Sequence, residues 1–311
     1  MKIGEKYDPR KTFGKAVTGL AGDNEKVVVF SADSGKSSGF GDFIKQYPER
    51  YFECGIMEQA AMGMASGMAT AGNIPVFCAI APFVTCRPYE MFRNDLGYMK
   101  QNVKVVGRNS GITYADLGVT HQSLEDFAII RMIPGVVVLA PQDPAEIVEA
   151  VKAMIDYEGP VYMRIGNPQI PVLFEEGPFE IGKGREIHDG KDITIISTGS
   201  MTGAAMEAAG SLRKKGYDVG LIGMPTVCPL DEKMVREAAA KTGKILTVEE
   251  HYVDGGLGTM VTECVSDMEN VRVRRMGIPT LYATTGSYEE ILDFYDLNAD
   301  GIIYQVMEFL H

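Results

Sequence analysis

Short apolar runs rich in Val and Ile alternate along the whole chain with longer segments of helical periodicity, and this alternation constrains the fold more than any other feature. Runs of four to eight apolar residues suit strands buried on both faces, and an intervening helix is what a parallel sheet needs to carry the chain back to its starting edge. In the first half the strand candidates are 27–30, 75–80, 103–106, 136–139 and 161–163, separated by helical stretches at 57–71, 87–100, 123–132 and 143–157. The last of these shows how such a helix begins: a capping Asp143, then Pro144 at the first helical position and Glu146 three residues after the cap. Ile147, Val148, Val151, Met154 and Ile155 then form one apolar face.

Between 174 and 191 the rhythm lapses into Glu-Glu-Gly-Pro, Gly-Lys-Gly and His-Asp-Gly-Lys, a polar, turn-rich stretch suited to an interdomain link. Strand candidates resume at 193–196, 219–222, 245–248 and 271–273, with helices near 201–215, 231–241, 257–268 and 288–296. A length of 311 residues agrees with two domains. The expected architecture is α/β throughout: domains at 1–174 and 191–311, each a mostly parallel sheet flanked by helices, joined by a linker at 175–190.

Charge narrows the function by exclusion. Thirty Lys plus Arg against 42 Asp plus Glu leave a formal charge of −12, which opposes nucleic acid or an anionic membrane as a general partner. Any anionic ligand must be held by a few placed cations. Five cysteines without a CxxC pair, and no secretory signal, predict reduced thiols and a cytoplasmic location. The most apolar stretch, 74–84, falls short of the ~20 residues of a spanning helix. His188, His251 and His311 have no ligand-like spacing, so no metal site is expected from this chain.

Parallel sheets place ligands beyond the carboxyl ends of their strands, so the residues after each apolar run carry the chemistry. After Phe30 a small polar loop presents Asp33, Ser34 and Ser37 to a ligand or merely turns the chain. It contains Gly-Lys-Ser, but Phe30 takes the place of the earlier glycine of a phosphate-binding P-loop. Glu58 is the single carboxylate opening a helix of Met, Ala and Gly; it is either a solvated charge favoured by the helix dipole or a buried functional acid. Phe83, after the run 75–80, belongs to the core or stacks on a flat ring. His121, in Gly-Val-Thr-His-Gln-Ser-Leu-Glu-Asp, suits acid-base chemistry or hydroxyl binding, unless Thr120 or Ser123 there simply caps a helix. The glycine-rich Gly255-Gly-Leu-Gly resembles an anion-binding turn, although tight strand-to-helix packing explains it equally well.

In this order, Val28-Val-Phe-Ser-Ala-Asp, Gly55-Ile-Met-Glu-Gln-Ala-Ala-Met, Arg87-Pro-Tyr-Glu with Arg93, Thr120-His-Gln-Ser-Leu-Glu-Asp and Met132-Ile-Pro-Gly resemble the carboxyl-terminal half of transketolase. The resemblance covers nearly the whole chain and implies a pyrimidine-binding domain followed by the transketolase carboxyl-terminal domain. It implies thiamine diphosphate as cofactor, with Mg²⁺ and the diphosphate held through a Gly-Asp-Gly motif. No Gly-Asp-Gly occurs in this sequence. A split enzyme is therefore expected, in which a separate diphosphate-binding chain completes the site, with two copies of each chain and no activity from this one alone.

Residue by residue, the resemblance gives Glu58 the role of the acid that hydrogen-bonds the pyrimidine and promotes the imino form that deprotonates the thiazolium carbon. A carboxyl group in an apolar contact shares a proton with a ring nitrogen more readily than one in water. Phe83 matches the aromatic stacked on the pyrimidine, Asp33 an acid near the cofactor, and His121 the histidine at the donor's hydroxyl end. Arg10, Ser37 and Arg164 match positions that bind the distal phosphate of a sugar phosphate, where a guanidinium gives bidentate recognition.

Two departures bear on substrate. Leu117 stands where the family usually carries an Asp, with Asp116 one residue earlier, and Asn109 replaces a second substrate-binding histidine. Losing a charged hydrogen bond of about 1.5–3 kcal/mol shifts preference roughly ten- to a hundredfold, enough to change the favoured sugar. The expected reaction is transfer of a two-carbon ketol unit from a ketose to an aldose, with a donor other than an ordinary pentose phosphate. The alternatives are a 2-oxo-acid dehydrogenase β-subunit, a deoxyxylulose-phosphate-synthase-like carboligase, or a non-catalytic scaffold of the same fold.

Overall fold

The computed structural model describes residues 1–311. Its strands are β1 (Lys6–Tyr7), β2 (Val27–Ser31), β3 (Tyr51–Glu53), β4 (Ile74–Ile80), β5 (Lys104–Arg108), β6 (Val137–Leu139), β7 (Val161–Ile165), β8 (Ile170–Pro171), β9 (Arg185–His188), β10 (Ile193–Ser197), β11 (Val219–Gly223), β12 (Thr226–Cys228), β13 (Lys244–Tyr252) and β14 (Arg272–Ile278). Seven of them form one sheet in the order β12-β6-β7-β5-β4-β2-β3, and five form a second in the order β14-β13-β10-β11-β9. Pairing is parallel throughout both, except for the edge strands β12 and β9. The expected α/β architecture of two mostly parallel sheets flanked by helices is therefore present.

The Val-rich runs are strands because both of their faces are covered: β2, β5 and β7 are buried at every position. One apolar cluster, around Phe30, Met62, Phe77 and Tyr162, fills one face of the first sheet; another, around Phe13, Val29, Val106 and Met163, fills the other. Helices begin where short polar side chains satisfy free backbone N–H groups. Asp8 accepts from Arg10 N at 2.9 Å to start Pro9–Asp23, and Asp143 accepts from Glu146 N at 2.6 Å to start Pro144–Asp156.

Several features differ from the sequence expectation. The stretch 87–100 is not one helix but a turn over Tyr89–Met91 and a wider i→i+5 winding over Phe92–Tyr98. Within the expected linker, Arg185–His188 is the outer strand of the second sheet. β12, from the second half of the chain, crosses to extend the first sheet antiparallel to β6, and its Val227 is buried in the first sheet's core. In return, Ile112, Ala115 and Leu124 of the first half lie in the apolar core of the second.

The strand order places a topological switch at β2, whose sequence successors β3 and β4 lie on its opposite sides. The crevice outside the carboxyl ends of these strands is where such a sheet accepts a ligand.

Candidate active site

Four strand ends deliver the predicted residues to that crevice. Glu58 follows β3 as the first residue of the helix Glu58–Thr70, whose start has no side-chain cap. Only 2% of it is exposed, so it is not a solvated dipole charge. Phe83 follows β4 on the short helix Ala81–Thr85. Between the two sits Arg87, with its guanidinium carbon 3.7 Å from the centre of the Phe83 ring and Nη1 donating to Glu58 Oε1 at 2.6 Å.

His121 meets the same group from the far side, its ring edge-on to Phe83 at 5.2 Å and to Tyr114 at 5.4 Å. Thr120 Oγ1 lies 2.9 Å from His121 Nδ1, so Nε2 is left for a ligand. Partial burial pushes the imidazole below its ordinary pKa, the Arg87 charge adds to this, and Asp116 opposes it. This favours the neutral imidazole, which can both donate and accept a hydrogen bond. Leu117 is exposed beside this loop.

Asp33 stands at the end of β2 with φ +54°, and its backbone N–H donates to Glu53 Oε1 at 2.6 Å. Glu53 also accepts from the Tyr51 hydroxyl and from Gly55 N. The loop carrying Asp33 is thus tied to the segment that leads into Glu58.

The predicted anion-binding residues are divided. Ser37 accepts from Arg108 Nη2 at 3.1 Å, and Asn109 Oδ1 accepts from Arg108 Nη1 at 3.0 Å. Arg108 Nε donates to Ser38 Oγ at 3.0 Å, and no carboxylate lies within ion-pair distance of this 3%-exposed cation. Burial lowers the proton affinity of Arg108 below its usual range, and the neighbouring Arg10 charge acts in the same direction. Asn109 is fully buried at φ +56°, and its Nδ2 has no partner. Arg10 itself pairs with Asp8 at 3.0 Å on the rim.

Arg164 is not brought to this group. In the parallel register it stands beside Gly107, while Arg108 stands beside Ile165, so the two arginines project from opposite faces of the sheet. Arg164 instead pairs with buried Asp126 at 3.0 Å, donates to Glu250 O at 2.8 Å and lies over Phe127. Burial alone would lower its pKa, but the Asp126 and Glu250 charges outweigh this and raise it. Asp126 also accepts from the Tyr162 hydroxyl at 2.7 Å.

The glycine-rich turn at 255–258 holds no space for an external anion. Glu249 accepts from Leu257 N at 2.8 Å and from Gly258 N at 2.7 Å, filling the start of the helix Leu257–Cys264 from within the chain. No group of three or more His, Cys, Asp or Glu residues is arranged to hold a metal ion. No helix is long and apolar enough to cross a membrane.

Comparison with known proteins places the chain and its fold in a class. Residues 5–171 match the pyrimidine-binding domain of transketolase, and residues 182–302 match the transketolase C-terminal domain. The chain belongs to the transketolase family. It is 38% identical over 303 residues to one of the subunits of the apulose-4-phosphate transketolase of Phocaeicola vulgatus, covering 97% of each chain. It is 32% identical to the 6-deoxy-6-sulfo-D-fructose transketolase subunit SqwH of Clostridium sp. (strain MSTE9), covering 96% of this chain and 93% of that one. A solved structure described as a split gene transketolase, inactive beta4 tetramer, superimposes with a TM-score of 0.89 at 36% identity, covering 98% of this chain and 99% of that one.

Sequence reasoning missed Arg108 and gave Arg87 no role. The signal for Arg108 was present: a cation closing a strand, directly before Asn109. Arg87 meets Glu58 across 29 positions, a contact that no local pattern carries.

Proposed function

We propose that this chain is the pyrimidine-binding subunit of a thiamine-diphosphate-dependent enzyme that transfers a two-carbon ketol unit from an anionic ketose to an aldose. The carrying observation is a buried carboxyl, Glu58, facing the Phe83 ring across a gap now filled by a planar cation. A flat, hydrogen-bonding heterocycle fits such a gap. When bound, thiamine diphosphate supplies the carbanion that carries the two-carbon unit.

Within the site Glu58 holds a proton against a ring nitrogen, and Phe83 fixes the plane of that ring. His121 presents Nε2 to a substrate hydroxyl near the reacting carbons. Arg108, Ser37 and Asn109, with Arg10 on the rim, receive the anionic end: a buried cation without a counter-ion and a buried amide without an acceptor are both completed by a phosphate or sulfonate. Asp33 borders the cofactor, and Arg164, engaged with Asp126 and Glu250, stands outside the anion subsite. On this reading diphosphate and Mg²⁺ fall to a separate subunit that carries the Gly-Asp-Gly motif. The relatives from Phocaeicola vulgatus and Clostridium are both named as subunits, which favours the same division here.

The test is reconstitution with a candidate diphosphate-binding chain, thiamine diphosphate and Mg²⁺. Ketol transfer from a ketose phosphate is expected, and Glu58→Gln abolishes it while leaving the melting temperature in place. Carbon dioxide released from a 2-oxo acid instead would assign the carboligase or dehydrogenase reaction. Unchanged transfer by the Gln variant would remove Glu58 from the mechanism.

A further inference from the structure

The Glu58 carboxylate has one hydrogen-bond partner in this structure, the Arg87 guanidinium. That guanidinium is planar and donates through N–H groups in a fixed fork, and it lies over Phe83 at ordinary stacking distance. A flat face and an edge of N–H donors belong equally to an aminopyrimidine. A ring stacked on Phe83 and hydrogen-bonded to Glu58 needs the space that the guanidinium fills, so the two are not held together.

Arg87 is also built to leave. It lies between the helical turns Ala81–Thr85 and Tyr89–Met91, next to Pro88, so its side chain can swing without disturbing a helix. Its side chain is 40% exposed while that of Glu58 is 3% exposed, so water reaches one partner and not the other. Without Arg87 the buried carboxylate would stand unpaired.

We infer that Arg87 is an internal stand-in for the cofactor's aminopyrimidine: in the free chain it occupies the place between Glu58 and Phe83, and the ring enters by displacing it. The inference rests on the functional reading above. Its consequence is a built-in competition, because the apparent affinity of the ring is reduced by the fraction of chains in which the place is open. The subunit thereby keeps its buried acid paired until cofactor arrives.

The test uses the isolated full-length chain and two small probes, 4-amino-2-methylpyrimidine and methylguanidinium, followed by ligand-detected NMR. Arg87→Met keeps an apolar stem over Phe83 and removes the fork; Arg87→Gln is the second variant, and thermal melting shows that each is folded. Both probes are expected to bind the variants about tenfold or more tightly than the native chain, with the gain lost when Glu58→Gln is added. Equal binding of the aminopyrimidine to native and Arg87 variants, abolished in both by Glu58→Gln, would overturn the stand-in and leave the site reading intact. Methylguanidinium binding to the variants while the aminopyrimidine binds no form of the chain would overturn the site reading, and the stand-in with it.

Discussion

Replacing Arg108 by Met removes a buried cation while nearly keeping its volume, and the structure allows the loss to be sized. Three of the five guanidinium N–H groups are spent on Ser37, Ser38 and Asn109, which leaves two, together with the unpartnered Asn109 Nδ2, to face a ligand. A hydrogen bond to a charged group is worth about 1.5–3 kcal/mol, so losing the charge should lower kcat/KM for an anionic ketose roughly 10- to 150-fold. The anionic end lies away from the reacting carbons, so the loss should enter KM with kcat nearly unchanged. A ketose without a phosphate or sulfonate should be affected little. The assay compares phosphorylated and unphosphorylated ketoses in the reconstituted complex, with a urea titration to show that the variant is folded. Equal losses on the two classes of ketose would refute the assignment, since a subsite for the anion cannot act on a substrate that has none.

Two further outcomes concern the protein that surrounds the site. Asp126→Asn leaves Arg164 buried without its counter-ion and should cost about 3–5 kcal/mol of unfolding free energy by urea titration, much of it regained by adding Arg164→Met. Native-like stability of the single variant would show the pair to be weakly coupled. Burial raises the pKa of Glu249 from 4.5 to about 7, so the contribution of this group to stability is full below about pH 4.5 and is lost as pH rises through about 7. Glu249→Gln should therefore flatten the decline in stability between about pH 5 and pH 8 by an amount on the order of 3 kcal/mol, read from urea midpoints. An unaltered pH profile would mean that Glu249 keeps its ordinary affinity for protons.

The architecture was legible because a parallel sheet writes itself as isolated apolar runs, and Glu58 because the seventeen residues after it offer so little to water. The choice between Arg108 and Arg164 was not. Each closes or nearly closes a strand, and a shift of one residue in register moves a side chain to the opposite face. The pairing of Gly107 with Arg164 exists only once β5 and β7 are aligned. The helix Pro9–Asp23 was missed for a related reason: its core face is carried mainly by Phe13, Val17 and Ala21, too sparse a stripe to stand out among Lys, Thr and Gly. Strand β12 is three residues long and has no partner in its own half of the chain.

That exchange between the halves bears on what the second domain contributes. The loop bearing His121 is rooted outside its own domain: Ile112 N–H donates to Glu250 Oε1 at 2.7 Å, Gln122 Nε2 donates to Thr284 O at 3.0 Å, and Leu124 O accepts from Tyr252 N. Glu250 is fixed in turn by the Ser200 and Tyr288 hydroxyls. Two glycines make the fit possible. Gly111 at φ +61° leaves no room for a Cβ against Glu250, and Gly118 at φ +71° leaves none against Thr285. Free loops of this length lose conformational entropy each time they form a site, and here the second domain bears that cost during folding rather than at each turnover. In the proposed site its contribution is accordingly geometric: it anchors the loop that carries His121 beside Phe83.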